Sequence, residues 1–463
     1  MKIDIFQYSG INRIDKHIEM QQVIFLKKNT WHLIIIILCS ALALLADILV
    51  PVSIPDTGTV NDFEIELSCT SIDAISKNTG SEIINYDFIR GIWFSQFDMQ
   101  PVFTEKGVQR NEQSYTDLVS KMLLNIKNNG FNTVFLQLRP NGDSMYASDI
   151  FPVSKYVSGS YGQELFYDAV GIFTDLAHKV GISVHGWINP LRLMKTNEIE
   201  SIDDRFIIKQ WYKQQNGRVI AVGDRLYLNP AYTEVRGLIT DGVSEIMERY
   251  DMDGIHMDDY FYPTTDADFD AVEFASSGFD VLGDFRRDNI NLLVKGIYQA
   301  VKTSNSDARY GIAPAGNLYS LREGYYADVN LWCSQKGYID YIMPQLYFGF
   351  LNKSCPFDII LSDWVDAVTE PEVRLVIGLT AAKAVMAVSG EIDVYAGTEE
   401  GKNEWINNKD ILRRSLIAIY EEKKASGYCI FCYHYLFDVL TGEVNPDFAQ
   451  ERKNIGKLFV NNN

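Results

Sequence analysis

The stretch at positions 250–263 reads Tyr-Asp-Met-Asp-Gly-Ile-His-Met-Asp-Asp-Tyr-Phe-Tyr-Pro. A short run with alternating apolar residues ends there at two carboxylates, Asp258 and Asp259, which aromatic rings and a proline follow. The pattern predicts a β-strand whose polar groups lie at its carboxyl end. Period-two alternation places Ile255 and Met257 on the face opposite Asp258. The face shared with Asp258 also carries Gly254, His256 and Tyr260.

Length and composition indicate one large globular domain with additional segments. The chain has 463 residues, of which 47% are apolar and 13% aromatic. A chain of this length is too long for one small core. Its formal net charge of −19 argues against a nucleic-acid partner, because little in such a chain would neutralise phosphates. The many aromatic residues are compatible with stacking on sugars, although most of them are expected in the core.

An apolar run over Leu33–Ala46 follows two lysines near the start of the chain. Basic residues before an apolar run that ends in small residues are typical of a secretory signal. If the segment is not cleaved, residues 31–50 are long enough to attach the protein to a membrane. We therefore predict a signal peptide or membrane anchor over residues 1–50 and a spacer over 51–88. The predicted location is secreted or cell-envelope.

From residue 89 onward, strand-like runs alternate with helical patterns. Eight such units predict an α/β fold, a (β/α)8 TIM barrel over residues 89–463. A doubly wound open sheet shows the same alternation, but no glycine-rich phosphate turn follows the first strand. No cofactor is predicted. Besides the opening stretch, the predicted strands are Arg90–Phe97, Thr133–Pro140, Ser183–Pro190, Ala308–Pro314, Tyr338–Phe348, Arg374–Thr380 and Gly427–Phe437.

Polar and aromatic residues occupy the last inward positions of several predicted strands. In a TIM barrel the carboxyl ends of all strands meet on the face that handles substrate. Side chains that hydrogen-bond hydroxyl groups, together with rings that stack on sugars, predict a polysaccharide substrate. The predicted substrate-binding residues are Arg139, Asn141, Asp143, Trp187, Asn189, Tyr260, Tyr262, Gln345 and Tyr347.

Glycoside hydrolysis normally requires two carboxyl groups, one of them protonated near neutral pH. Asp258 is the favoured catalytic residue, and Asp259 is the weaker candidate because alternation points it to the other side. A partner carboxyl is harder to assign. Asp98, Glu105 and Asp143 all fall just after predicted strands and remain open as candidates.

Histidines and cysteines give no pattern typical of a metal centre, and no metal site is predicted. His185 and His256 fall below the strand ends and are expected to be buried hydrogen-bonding groups, whereas His178 is expected on the surface. Cys429 and Cys432 have the spacing of a metal or redox pair. No second pair accompanies them, so they are predicted to be buried free thiols.

The ordered motifs resemble those of a bacterial glycosyl-hydrolase-like family related to family-ten barrels. The resemblance implies a TIM barrel, an exported protein and glycoside hydrolase activity. A more distant similarity to chitinase-type barrels implies that Tyr260 replaces the usual acidic proton donor, and that an N-acetyl group of the substrate assists. The motifs that carry the first resemblance are Arg90–Trp93, Asn132–Asp143, His185–Pro190, Leu228–Pro230, Asp253–Pro263, Arg286–Ile290, Gly311–Pro314 and Pro344–Tyr347.

Together these patterns favour hydrolysis of an extracytoplasmic polysaccharide, with peptidoglycan glycan strands as a candidate substrate. A barrel that binds glycans without cleaving them is the first alternative, since no acid follows the seventh predicted strand. A metal-dependent hydrolase is the weaker alternative, because the chain has no HExxH motif.

Overall fold

The structure, a computed structural model, describes residues 83–460. The predicted signal or anchor (residues 1–50) and the spacer as far as residue 82 lie outside the described residues, so these assignments stay predictions. Within residues 83–460, no helix combines the length and the apolar character needed to cross a membrane.

Eight parallel strands close into a barrel, which confirms the predicted TIM-barrel fold. In chain order the strands are β1 (Ile89–Phe94), β2 (Thr133–Arg139), β3 (Ser183–Ile188), β4 (Arg192–Lys195), β5 (Val219–Val222), β6 (Arg225–Leu228), β7 (Gly254–Asp258), β8 (Arg309–Ala313), β9 (Tyr341–Ile342), β10 (Arg374–Thr380) and β11 (Ala425–Phe431). The barrel order is β1-β11-β10-β9-β8-β7-β3-β2, and β4, β6 and β5 form a separate three-stranded sheet. This sheet lies in the long insertion between β3 and β7.

Helices surround the barrel and follow its strands in the expected alternation. The first of them begins at an Asn111 cap and ends before Gly130, whose φ of 84° suits a residue without a side chain. The helices are α1 (Glu112–Asn128), α2 (Lys155–Ser158), α3 (Ala169–Lys179), α4 (Ile207–Gln214), α5 (Thr233–Arg249), α6 (Ala271–Ser277), α7 (Leu282–Ser304), α8 (Leu318–Gly324), α9 (Val329–Ser334), α10 (Phe357–Ala367), α11 (Ala382–Val388), α12 (Glu399–Lys402), α13 (Glu404–Asn407), α14 (Ile411–Glu421), α15 (Tyr433–Leu436) and α16 (Ala449–Val460).

Strand β7 follows the alternation that its sequence predicts. Ile255 and Met257 are fully buried in the core between strands and helices. His256 instead points into the lumen, where its ring packs against Phe135 and Tyr341. The lumen is therefore a packed aromatic interior, and in a barrel of this kind a ligand binds above it at the strand ends.

Two predicted strands continue well beyond the ends of those observed. Strand β9 covers only Tyr341–Ile342, because Pro344 has no N–H to donate to a central strand. The chain beyond it stays beside its neighbours through bridges from Gln345 to Ala315 and Gly378. The last strand ends at Phe431, and its predicted continuation forms the short helix α15.

The floor of the barrel is held by a buried carboxylate, Asp253. Its oxygens accept from the main-chain N–H groups of Ile84 (2.6 Å) and Val184 (2.7 Å) and pair with Nε2 of His178 at 2.9 Å. His178 is therefore not the solvated surface residue that was predicted. Since Tyr86 also donates to Gly181 O, residues 83–88 belong with the barrel floor rather than with the spacer.

We expect Asp253→Ala to lower the free energy of unfolding by about 3–5 kcal/mol, since it leaves buried donors and a cation unpaired. Asp280→Ala is the matched control, because Asp280 is exposed, and its effect should stay within about 0.5 kcal/mol. Burial opposes the charged ring of His178, but the bond and charge of Asp253, with smaller contributions from the charges of Asp251 and Asp175, outweigh it and raise the pKa of His178. The difference between the variants in urea denaturation should therefore shrink as the pH rises through that raised pKa. Equal stability of the two variants would contradict this account.

Candidate active site

Asp258 stands at the carboxyl end of β7 and is held there by donors from neighbouring strand ends. Its Oδ2 accepts from Nδ2 of Asn189 at 3.0 Å, and its Oδ1 accepts from Nε2 of Gln345 at 3.0 Å. The amide of Asn189 is itself oriented, since its Oδ1 accepts from Nε2 of Gln137 at 2.8 Å. The structure thus brings Asn189, Asp258 and Gln345 together, as the alternation predicted.

Asp259 lies beside Asp258 because the ladder of β7 ends at Asp258 and the chain turns there. Its main-chain N–H donates to Oδ1 of Asp258 at 2.8 Å, and each of the two carboxyl groups shifts the pKa of the other. Burial raises the pKa of both groups, and the charge of Asp258 raises that of Asp259 further. Two charges so close in a desolvated site are unfavourable, so the pair holds one proton.

A cation and an aromatic ring flank this carboxyl pair on the side of the insertion. The guanidinium carbon of Arg192 lies 4.7 Å from the ring centroid of Tyr260. Its charge lowers the pKa of both Asp258 and Asp259 and so counteracts part of the burial effect. The predicted site residue Tyr260 is half-buried here. It follows the carboxyl end of β7, and the region at the carboxyl ends of the barrel strands around Asp258 is called the mouth.

Aromatic rings form the opposite wall of the mouth. Tyr347 is half-buried and packs against Trp93 and Phe431, with ring centroids 6.4 and 6.1 Å away. Trp187 is almost fully buried in the cluster of lumen residues that contains Trp93. Burial and then the charge of Asp258 raise the pKa of Tyr347, so its hydroxyl group stays neutral and can donate a hydrogen bond.

Below the mouth, two imidazoles and a phenol form a buried hydrogen-bonded chain. Nε1 of Trp93 donates to Nε2 of His256 at 3.1 Å, which leaves the proton of that ring on Nδ1, facing the Tyr341 hydroxyl at 3.0 Å. The same hydroxyl lies 3.1 Å from Nδ1 of His185. Burial lowers the pKa of His256 and that of His185, the latter to about 4. Both histidines are buried hydrogen-bonding groups, as predicted.

The family model for Glycosyl hydrolase-like 10 matches residues 88–395. The chain belongs to this glycosyl hydrolase-like family. Glycosyl hydrolase YngK of Bacillus subtilis is 31% identical over 320 residues, which are 64% of this chain and 61% of that protein. The matched region therefore spans about three fifths of that relative. Glycosyl hydrolase DigH of Escherichia coli K12 is 31% identical over 324 residues, which are 64% of this chain and 73% of the relative.

Among solved structures, the glycoside hydrolase domain of PgaB (BpsB) from Bordetella bronchiseptica resembles this family member in fold. The two share 12% sequence identity with a TM-score of 0.51, over 80% of this chain and 98% of that domain. At this identity the similarity shows the barrel architecture alone.

Arg139 does not face the lumen in this glycosyl hydrolase-like chain, so that prediction was wrong. The register between β2 and β3 shifts after Gln137, where a bulge turns Arg139 outward. Its guanidinium carbon lies 3.6 Å from the centroid of Phe151, and the side chain is fully buried against α5. Burial lowers the pKa of Arg139 to about 10. This position supports packing rather than contact with a substrate.

Three further residues that were predicted to bind substrate are buried away from the carboxyl pair. Asn141 accepts from Arg225, and its main-chain N–H donates to Asp143, which is fully buried in the same loop. Tyr262 is 1% exposed and packs against Arg286 beneath the loop that follows β7. The period-two rule stops at Asp258, where the strand ends, and therefore does not apply to Tyr262.

None of the three candidates for a second carboxylate is a hydrogen-bond partner of Asp258. Glu105 is exposed in the loop after β1, and Asp143 is bonded within its own loop. Asp98 is fully buried and lies 2.8 Å from Nδ1 of His434. We did not predict a role for His434, because it falls inside the predicted strand Gly427–Phe437, whereas the observed strand ends at Phe431.

We expect Arg139→Lys to lower the free energy of unfolding by about 1–3 kcal/mol, because an ammonium group cannot reproduce the planar stack on Phe151. The Michaelis constant for a glycan substrate should stay unchanged. Arg205→Lys is the matched control, since Arg205 stacks on Phe206 at an exposed position. Weakened glycan binding by Arg139→Lys without loss of stability would show that Arg139 acts on the substrate after all.

Proposed function

We propose that this chain hydrolyses glycosidic bonds in an extracytoplasmic polysaccharide, with Asp258 and Asp259 as its acid–base unit. The observation that carries the proposal is the pair of adjacent carboxyl groups at the carboxyl end of β7, where Asp258 accepts from Asn189, Gln345 and the N–H of Asp259. Membership of a glycosyl hydrolase-like family supports the reaction class. The mouth supplies the amides and rings that sugars require, from Asn189, Gln345 and Tyr347.

Asp259 is the proton donor in this proposal. Asp259 is half-buried whereas Asp258 is buried, and burial together with the charge of Asp258 raises the pKa of Asp259, which suits a general acid. Asp258 accepts two side-chain amides and one main-chain N–H, a set of donors that favours its charged form. It therefore orients the proton of Asp259 and stabilises positive charge that develops on the sugar.

The two carboxyl groups act as a single unit in this proposal, because each shifts the pKa of the other. A donor and a carboxylate nucleophile in a retaining enzyme stand about 5–5.5 Å apart, and an inverting pair stands about 6.5–9.5 Å apart. The similarity of this strand to chitinase-type barrels implies instead that an N-acetyl group of the substrate assists. We therefore place the nucleophile on the substrate, as the oxygen of a 2-acetamido group.

The proposed reaction has two steps and uses only the substrate, Asp259 and water. The acetamido oxygen attacks the anomeric carbon as the glycosidic bond breaks, and the leaving oxygen takes the proton of Asp259. Water then attacks the same carbon, its proton goes to the Asp259 carboxylate, and the acetamido group is restored. N-acetylated bacterial polymers such as peptidoglycan glycan strands suit this chemistry, and the predicted signal or anchor over residues 1–50 would bring the protein to them.

A barrel that binds glycans without cleaving them is the second candidate function. It is favoured by the end of β10, where two alanines and a lysine follow Thr380 and no acid is offered. The two functions differ in product. Stable binding of an oligosaccharide with no new reducing ends after a day would support the binding function and would exclude hydrolysis of that glycan.

We expect Asp259→Asn and Asp258→Asn each to lower kcat by about 10²-fold or more, because each removes half of the acid–base unit. Release of reducing ends from N-acetylated glycans measures the loss. Asp268→Asn is the matched control, since Asp268 is an exposed acid in the loop after β7, and it should retain full activity. Unchanged turnover in Asp258→Asn or in Asp259→Asn, with an unchanged melting temperature, would remove the substituted residue from the mechanism.

Removal of the acetyl groups from the glycan should slow cleavage by at least about 10²-fold, since the internal nucleophile is lost. The comparison uses matched acetylated and deacetylated oligosaccharides, with binding measured separately by calorimetry. Equal rates for the two substrates would place the nucleophile on the protein and overturn substrate assistance. The roles of Asp258 and Asp259 are tested separately, by the asparagine variants.

A further inference from the structure

A second cluster of reactive side chains lies at the rim where β1 and β11 end. Asp98 follows β1, whereas Cys432 and His434 follow β11, more than 300 positions later in the chain. One carboxylate oxygen, the thiol sulfur and a ring nitrogen lie within 4.8 Å of one another. The barrel closure, which pairs the first strand with the last, brings these three donors together.

The three side chains of this cluster are in mutual contact. Nδ1 of His434 lies 2.8 Å from Oδ1 of Asp98 and 3.3 Å from Sγ of Cys432. A ring nitrogen carries at most one hydrogen, so it cannot donate a hydrogen bond to both neighbours. A metal cation would bind all three side chains at once, because it accepts a lone pair from the nitrogen, from the oxygen and, once the thiol has released its proton to water, from the sulfur.

Asp98 is oriented in the manner of a metal-binding carboxylate. Its Oδ2 accepts from the main-chain N–H of Ser95 at 2.6 Å and from the Ser95 hydroxyl at 2.8 Å, and its Oδ1 faces His434, whose main-chain N–H donates to it at 2.9 Å. Such an outer layer of hydrogen bonds fixes ligand carboxylates in known metal sites. Asp98 and Cys432 are fully buried, while the ring of His434 is 28% exposed, so water can reach one side of the cluster.

We propose that Asp98, Cys432 and His434 bind one zinc ion at the rim of the barrel, with water at the fourth position. Sulfur, imidazole nitrogen and carboxylate oxygen are the donors that zinc takes in tetrahedral sites. Calcium and magnesium prefer oxygen ligands alone and do not suit a thiolate. The ion would lie at the same end of the barrel as Asp258, but it takes no part in the proposed hydrolysis.

Metal analysis of the full chain tests the proposal. Protein stripped with a chelator and dialysed against zinc should retain about one ion per chain. Cobalt in place of zinc should give a thiolate-to-metal charge-transfer band. Cys432→Ser and His434→Ala should each weaken zinc binding by at least about tenfold, since each removes a ligand.

Cys429→Ser is the matched control, because Cys429 is also a buried free thiol in the lumen cluster, and it should bind zinc like the parent chain. Equal zinc retention by Cys432→Ser and the parent would overturn the proposal, as would a cobalt complex without the thiolate band. If Cys432→Ser fails to fold, His434→Ala at the partly exposed rim and the cobalt spectrum of the parent still decide the question. No glycan is present in these measurements, so their outcome is separate from that of the proposed hydrolysis.

Discussion

Two consecutive carboxyl groups, Asp258 and Asp259, lie at the end of one barrel strand, where burial disfavours the ionisation of both. The rest of the mouth is arranged around that constraint. Side-chain amides from Asn189 and Gln345 donate to Asp258 and favour its charged form. In the proposed mechanism the proton therefore remains on Asp259, and one adjacent pair provides both an acid and the negative charge that keeps the acid protonated.

A rigid interior supports this pair from below. The chain of hydrogen bonds from Trp93 through His256 and Tyr341 to His185 links β1, β7, β9 and β3 across the lumen. Since burial keeps both imidazoles neutral, the links do not change their charge in the ordinary pH range. Side chains fixed in this way hold the strand ends, and with them the donors to Asp258, in one arrangement.

Period-two alternation was enough to predict the barrel and the central part of the site. It placed Asp258, Asn189 and Gln345 on one face because these residues lie on or just beyond regular strands. It failed at Arg139, since a β-bulge is not visible in a hydrophobic pattern, and it undervalued Asp259, since alternation ends where the strand ends. The cluster around Cys432 was missed because barrel closure, not local sequence, joins the first strand to the last.

The protonation state of the carboxyl pair tests the account most directly. Carbon-13 labelling of the aspartate carboxyl groups, with the pH titrated by NMR in the parent chain and in Asp258→Asn, would follow it. The account predicts one aspartate that titrates well above the ordinary range for this residue type in the parent chain, and a lower pKa for Asp259 once its charged neighbour is gone. Titration of both carboxyl groups in the ordinary range, with no change in the variant, would contradict it.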